Sequence, residues 1–184
     1  MTLVLRDGAV GDAAAIARIH VDAWRHAYRG LIGDAVLDAL DVADRTASWT
    51  RWLERSLAGR GTDGDVRHDL LVAERDATVV GWATYGPARE PSRVGWGELA
   101  GLYVAPSAAR GGVGRALVAE VERRLAASGV AEAYLWVLEG NAPAEAAYER
   151  YGWLEDGATL VDRETDPTRV LVDRARVRRL PPAR

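Results

Sequence analysis

The chain has 184 residues, 48% hydrophobic and 28% charged, with a net charge of −3. That length suits one domain over residues 1–184 with a proper core, and the acidic balance gives no general attraction to nucleic acid or an anionic membrane. There is no cysteine and no lysine, which excludes disulfides, thiolate metal sites, an acyl-cysteine intermediate and a lysine-bearing phosphate loop.

Residues 1–7 lack the basic and apolar regions of a signal peptide. No apolar run approaches the ~18 residues of a membrane helix, so a cytoplasmic protein is the expectation. A first strand is predicted over residues 2–6. Asp12 is placed to N-cap a helix reaching Tyr28, with Ile16, Ile19, Ala23, Trp24 and Ala27 at helical spacing. Residues 29–33 break it. A short helix near residues 34–40 follows, then a longer one near 44–57 with Trp49, Trp52, Leu53 and Leu57 on one face. Residues 59–66 read as an exposed loop.

Strands are predicted over residues 70–75 and 78–85, joined by a tight turn at Asp76 and Ala77. After a proline-bearing loop come a strand at 96–104, a helix at 112–128 and a continuous apolar strand at 133–138. A short helix at 141–151 and strands at 158–161 and 170–177 complete the order. The fold class is therefore α/β (α+β): a mixed, partly antiparallel sheet of about seven strands flanked by helices. The strand–helix–strand unit should be a right-handed crossover.

The junction near residue 112 carries most of the chemical information. Leu102, Tyr103, Val104, Ala105 and Pro106 lead through a short gap to Arg110, Gly111, Gly112, Val113, Gly114 and Arg115. A glycine turn opening a helix presents unpaired backbone N–H groups at a positive helix end, which suits a diphosphate. The dinucleotide pattern G-x-G-x-x-G fails, because Leu117 stands where a third small residue belongs. A turn that needs glycine only for its backbone angles is the other reading.

Taken whole, the segment closely resembles the acetyl-CoA motif of the GNAT superfamily of N-acetyltransferases. Downstream, Leu135-Trp136-Val137, Asn141, Ala144, Ala147-Tyr148 and Tyr151-Gly152-Trp153 resemble the family's second motif. The likeness runs over most of the chain. One departure is Ala109, where the family usually has Gln or Arg; the cradle itself rests on backbone amides, which any residue supplies.

The resemblance implies a GNAT-like acyl-CoA N-acyltransferase fold and an acetyl-CoA-dependent N-acetyltransferase. The acceptor would be a small-molecule or peptide amine attacking the thioester directly. It implies pantetheine pairing with the backbone of Leu102, Tyr103 and Val104, and a diphosphate on the amides from Arg110 to Arg115. Arg110 and Arg115 are candidate phosphate partners, and a backbone N–H near Leu102 to Val104 is the candidate oxyanion donor. Glu98 is the candidate general base, since an alkyl ammonium has a pKa near about 10. Tyr148 matches the family tyrosine that protonates the departing thiolate. Asn141 is both a candidate pantetheine contact and a candidate N-cap.

Trp24, Tyr28 and Arg29, together with Trp49, are the candidate acceptor-lining residues, and packing is the competing role for the tryptophans. His20, His26 and His68 lack metal-ligand spacing, so no metal is expected. Arg174, Arg176, Arg178 and Arg179 suit a solvated strand face on a sheet edge. A non-catalytic acyl-CoA-binding module remains the alternative function. A homodimer completed through the tail strands is compatible with either.

Overall fold

The computed structural model describes residues 2–62 and 64–182; Asp63, in the expected loop, lies outside them. A seven-stranded sheet runs in the order β1-β2-β3-β4-β5-β7-β6. Its strands are β1 (Leu3–Asp7), β2 (Asp69–Arg75), β3 (Thr78–Pro87), β4 (Gly97–Val104), β5 (Glu132–Leu138), β6 (Leu154–Asp162) and β7 (Leu171–Arg179). The helices are α1 (Ala13–Ala27), α2 (Asp34–Asp38), α3 (Val42–Leu57), α4 (Val113–Ala127) and α5 (Ala142–Arg150). Every strand pair is antiparallel except β4 with β5.

Period-two alternation assigns the two faces of the sheet. Leu71, Ala73 and Ala83 pack with Val113, Leu117 and Val121 of α4. Their neighbours Leu70, Val72 and Trp82 pack with Ile16 and Ile19 of α1 and Leu53 of α3. The β2–β3 turn is as expected: Asp76 and Ala77 both take positive φ, 50° and 60°, the pair of values a two-residue hairpin turn needs.

The parallel pair positions the site. β4 and β5 meet only at Gly97↔Ala133 and Glu98↔Tyr134. Beyond Glu98 the two strands share no ladder, and β4 keeps its hydrogen bonds to β3 alone. Between Leu99 and Gly101 the β3–β4 register slips, leaving Ala100 as a bulge that bends the strand.

Two local expectations are corrected. Asp12 does not cap α1: its carboxylate accepts from the Ala9 N–H and from both Nη atoms of Arg6, at 2.8 Å each. A charge-assisted pair with a neighbouring strand outweighs a cap at the end of a short 3-10 turn. Nor is the arginine-rich strand β7 an edge. It lies between β5 and β6, and three of its arginines are paired rather than solvated, while Arg179 is exposed as expected. Arg174 meets Glu139 and Glu155, Arg176 meets Glu155, and Arg178 meets Glu122 of α4.

Candidate active site

Where β4 leaves β5, a cleft of about 600 Å³ opens between β4, the start of α4, α5 and the end of α1. Leu102, Tyr103 and Val104 form one wall, Asn141 and Tyr148 the opposite one, and Tyr28 closes the α1 side. Five of the six cradle residues expected from sequence, Arg110 and Gly112 through Arg115, line its mouth. Gly111 lies just behind them, its N–H on the Ala108 carbonyl at 3.3 Å.

The cradle's shape follows from its residues. Gly112 sits at φ 80°, a left-handed conformation at the N-cap of α4. The preceding Arg110 also has positive φ, 60°. The first hydrogen bond into the helix is Ala116 N–H to Gly112 C=O, 3.0 Å. The amides of Val113, Gly114 and Arg115 therefore have no intrahelical acceptor and sit at the positive end of the helix dipole. At Gly114 a Cβ would lie 3.7 Å from Val104 and 3.8 Å from Leu102, so this glycine leaves the gap between helix and strand clear. Arg110 and Arg115 have no ion-pair partner among the described residues.

Arg75 also reaches this loop, although sequence gave it no role. From the end of β2 its Nη2 donates to the Gly111 carbonyl at 3.2 Å. The contact spans 36 residues, and only the sheet brings the two segments together.

On the opposite wall, Asn141 caps α5, its Oδ1 accepting weakly from Ala144 N–H at 3.4 Å. Its side-chain nitrogen keeps no partner among the described residues. Tyr148 packs on the α4-side core while its ring lines the cleft. Burial first, then the phenols of Tyr103 and Tyr151, push its pKa well above the usual tyrosine value. The phenol is thus a proton donor across the physiological range.

The acceptor-side candidates divide. Tyr28 lines the cleft, and Trp24 packs edge-on against it with ring centroids 5.2 Å apart. Trp49 instead belongs to an aromatic core, its indole N–H donating to His20 Nδ1 at 3.2 Å. Burial, with Arg45, lowers the His20 pKa to about 4, so that ring is neutral. Arg29 does not reach the cleft. It is spent on the surface, on Asp34 at 2.9 Å and Asp38 at 3.1 Å.

Glu98 is the main correction. It is 1% exposed and does not line the cleft. Arg89 grips it with Nη2 on Oε1 at 2.6 Å and Nε on Oε2 at 3.0 Å, and the Arg89 backbone N–H adds a bond of 3.1 Å. Burial alone would raise its pKa, but Arg89, Tyr134 and His68 together hold it below the ordinary carboxylate value. A carboxylate so stabilised in its ionised form is a weak base with no open approach. Sequence alone could not show this, because Arg89 arrives on a loop.

Glu98→Ala is therefore expected to act on stability. Removing the buried carboxylate that Arg89 grips costs about 3 kcal/mol at pH 7, measured by urea unfolding. Because the folded-state pKa is depressed, this contribution is present above the unfolded value and fades as pH falls through the folded one. Turnover of the folded fraction should be unchanged; a hundredfold fall in it would return Glu98 to the chemistry.

A family model described as "Acetyltransferase (GNAT) family" matches residues 34–153. The N-acetyltransferase YuaI of Bacillus subtilis (strain 168), itself uncharacterised, is 31% identical over 119 residues. That alignment takes in 64% of this chain and 61% of YuaI, so the chain spans less than two thirds of that relative. The ribosomal-protein-alanine N-acetyltransferase of Brucella melitensis is similar in structure, with a TM-score of 0.71 and 29% identity, over 96% of this chain and 99% of that one. The PaiA N-acetyltransferase of Thermoplasma acidophilum, solved with coenzyme A, gives a TM-score of 0.72 at 17% identity, over 97% and 99% of the two chains.

Proposed function

The chain belongs to the acetyltransferase (GNAT) family, and from that premise we propose that it transfers an acetyl group from acetyl-CoA to an amine, both bound together in one cleft. The observation that carries this reading is the free edge of β4 leading into a cradle of unpaired amides. An extended pantetheine arm can pair with that edge as an added strand would. A diphosphate suits the N–H groups of Val113, Gly114 and Arg115, with Arg110 and Arg115 at hand as charged partners. The volume fits a cofactor arm plus a small acceptor. The coenzyme A complex of the Thermoplasma neighbour supports the choice of ligand.

Acetyl-CoA supplies an activated thioester. The protein's part is to hold, orient and move protons. The Leu102–Val104 backbone offers a donor to charge growing on the carbonyl oxygen. Tyr148, kept neutral by its surroundings, gives a proton to the leaving sulfur. The amide of Asn141 orients the arm. The acceptor enters from the α1 side, past Tyr28.

Calorimetry with coenzyme A, followed by thiol release from acetyl-CoA with a panel of primary amines, tests the reading. Binding plus amine-dependent release is expected. No heat at millimolar coenzyme A would sink it. The sequestered Glu98 is the one feature favouring a non-catalytic binding module, and binding without release from any amine would decide for that role.

A further inference from the structure

A carboxylate that sequence did not single out stands beside this cleft, just behind its Tyr28 and Tyr103 lining. Asp173 lies on β7 directly across from Leu138 of β5. Its neighbour two positions back, Leu171, joins Leu138 in the apolar cluster on which Trp24 and Tyr28 pack. Residues i and i+2 share a face of a strand, so Asp173 emerges on that same α1 side. Its carboxylate has no hydrogen bond and no ion pair among the described residues. Yet its charge is felt by the phenols of both Tyr28 and Tyr103, which line the cleft.

A second observation marks the same corner as unfinished. The buried Trp24 indole N–H is near enough to Tyr103 to lower its pKa but meets no acceptor at hydrogen-bond geometry. An unpaired donor and an unpaired carboxylate thus flank one pair of phenols. A buried donor normally has a partner, and the Trp24 N–H is one that calls for it. The corner is also held firmly. Asp166, in the β6–β7 loop, accepts from Gly33 N–H at 2.7 Å, and Arg169 donates to the Gly30 and Leu31 carbonyls at 3.0 and 3.1 Å. This strap ties the turn after Tyr28 to the base of β7.

We propose that Asp173, with Tyr28, Tyr103 and Trp24 around it, receives the ammonium group of the acceptor and takes the proton that the amine must lose. The assignment rests on the acetyl-transfer reading and supplies the base that Glu98 does not. The acceptor binds as a primary ammonium ion. One N–H proton passes to the Asp173 carboxylate, directly or through one water. The nitrogen lone pair then forms the C–N bond as the C–S bond breaks, the sulfur takes a proton from Tyr148, and the second proton shed by the new amide nitrogen restores the Tyr148 phenol through water.

The groups facing Asp173 are Tyr28 from α1, Tyr103 from β4 and Asp162 from β6, while β5 contributes Leu138. Burial first, then Asp162, push its pKa up to about 6. It is therefore ionised at neutral pH yet much more basic than a solvated aspartate.

The test compares wild type with Asp173→Asn, using n-butylamine, phenethylamine and glycinamide as acceptors. We expect Asp173→Asn to bind coenzyme A with unchanged affinity, to melt no lower than wild type at pH 8, and to lose about 100-fold in kcat/KM at pH 7. The pH profile separates a base from a structural residue. In wild type kcat/KM should rise through about pH 6 to a plateau. In the variant it should instead climb towards the acceptor's own pKa, as only the free amine reacts. A variant with wild-type rate and profile overturns the assignment and leaves acetyl transfer standing. Wild type that binds coenzyme A yet releases no thiol with any of the three amines overturns both.

Discussion

Gly114→Glu is expected to weaken coenzyme A binding by about 100-fold or more without unfolding the protein. The site for the new side chain is open. A Cβ at Gly114 meets only Val104 and Leu102, at ordinary contact distances of 3.7 and 3.8 Å. Local energetics even favour the change: glutamate has better helix propensity than glycine by about 0.5–1 kcal/mol, and a carboxylate suits the first turn of a helix. The cost appears only when the ligand arrives. A carboxylate then occupies the cradle that the amides of Val113, Gly114 and Arg115 offer to a diphosphate. Bringing like charges together costs several kcal/mol, and each 1.4 kcal/mol is about tenfold in affinity. Calorimetry and a thermal melt suffice to check it. An affinity within about threefold of wild type would show that the diphosphate lies elsewhere.

Tyr148→Phe is expected to lower kcat by about 100-fold while leaving coenzyme A affinity and the melting temperature where they were. The phenol makes no hydrogen bond to another described residue, and a phenylalanine keeps the ring that packs on the core. What is lost is one proton, given at the moment the C–S bond breaks. The pKa direction matters to the pH dependence. Tyr148 is needed in its protonated form, and its surroundings raise its pKa. It should therefore impose no falling limb on the wild-type rate between pH 6 and 9. Pre-steady-state thiol release measures the chemical step directly, and an unchanged rate constant would remove Tyr148 from it.

The β2–β3 hairpin, the glycine junction and the order of strands and helices were legible in the residues because each depends on neighbours in the chain. Positive φ at Gly112, the apolar stripe of α4 and the Asn141 cap of α5 are properties of a few consecutive residues, so the cradle could be placed by number. What could not be read were the contacts between distant segments. Glu98 looked available until Arg89 was found on it, and Arg29 looked available until Asp34 and Asp38 were found on it. Arg75 reaches the Gly111 turn only because β2 ends beside it. β7 carries its arginines inside the sheet, since the strand order places β6 outside it.

The amino-acid sequence by itself determined the elements, the family motifs and the glycine turn that opens α4. Which charges remain free for chemistry was decided by the tertiary structure alone. The reason is physical: secondary structure follows from local sterics and backbone hydrogen bonds, whereas the pairing and desolvation of a side chain depend on whatever the fold brings against it.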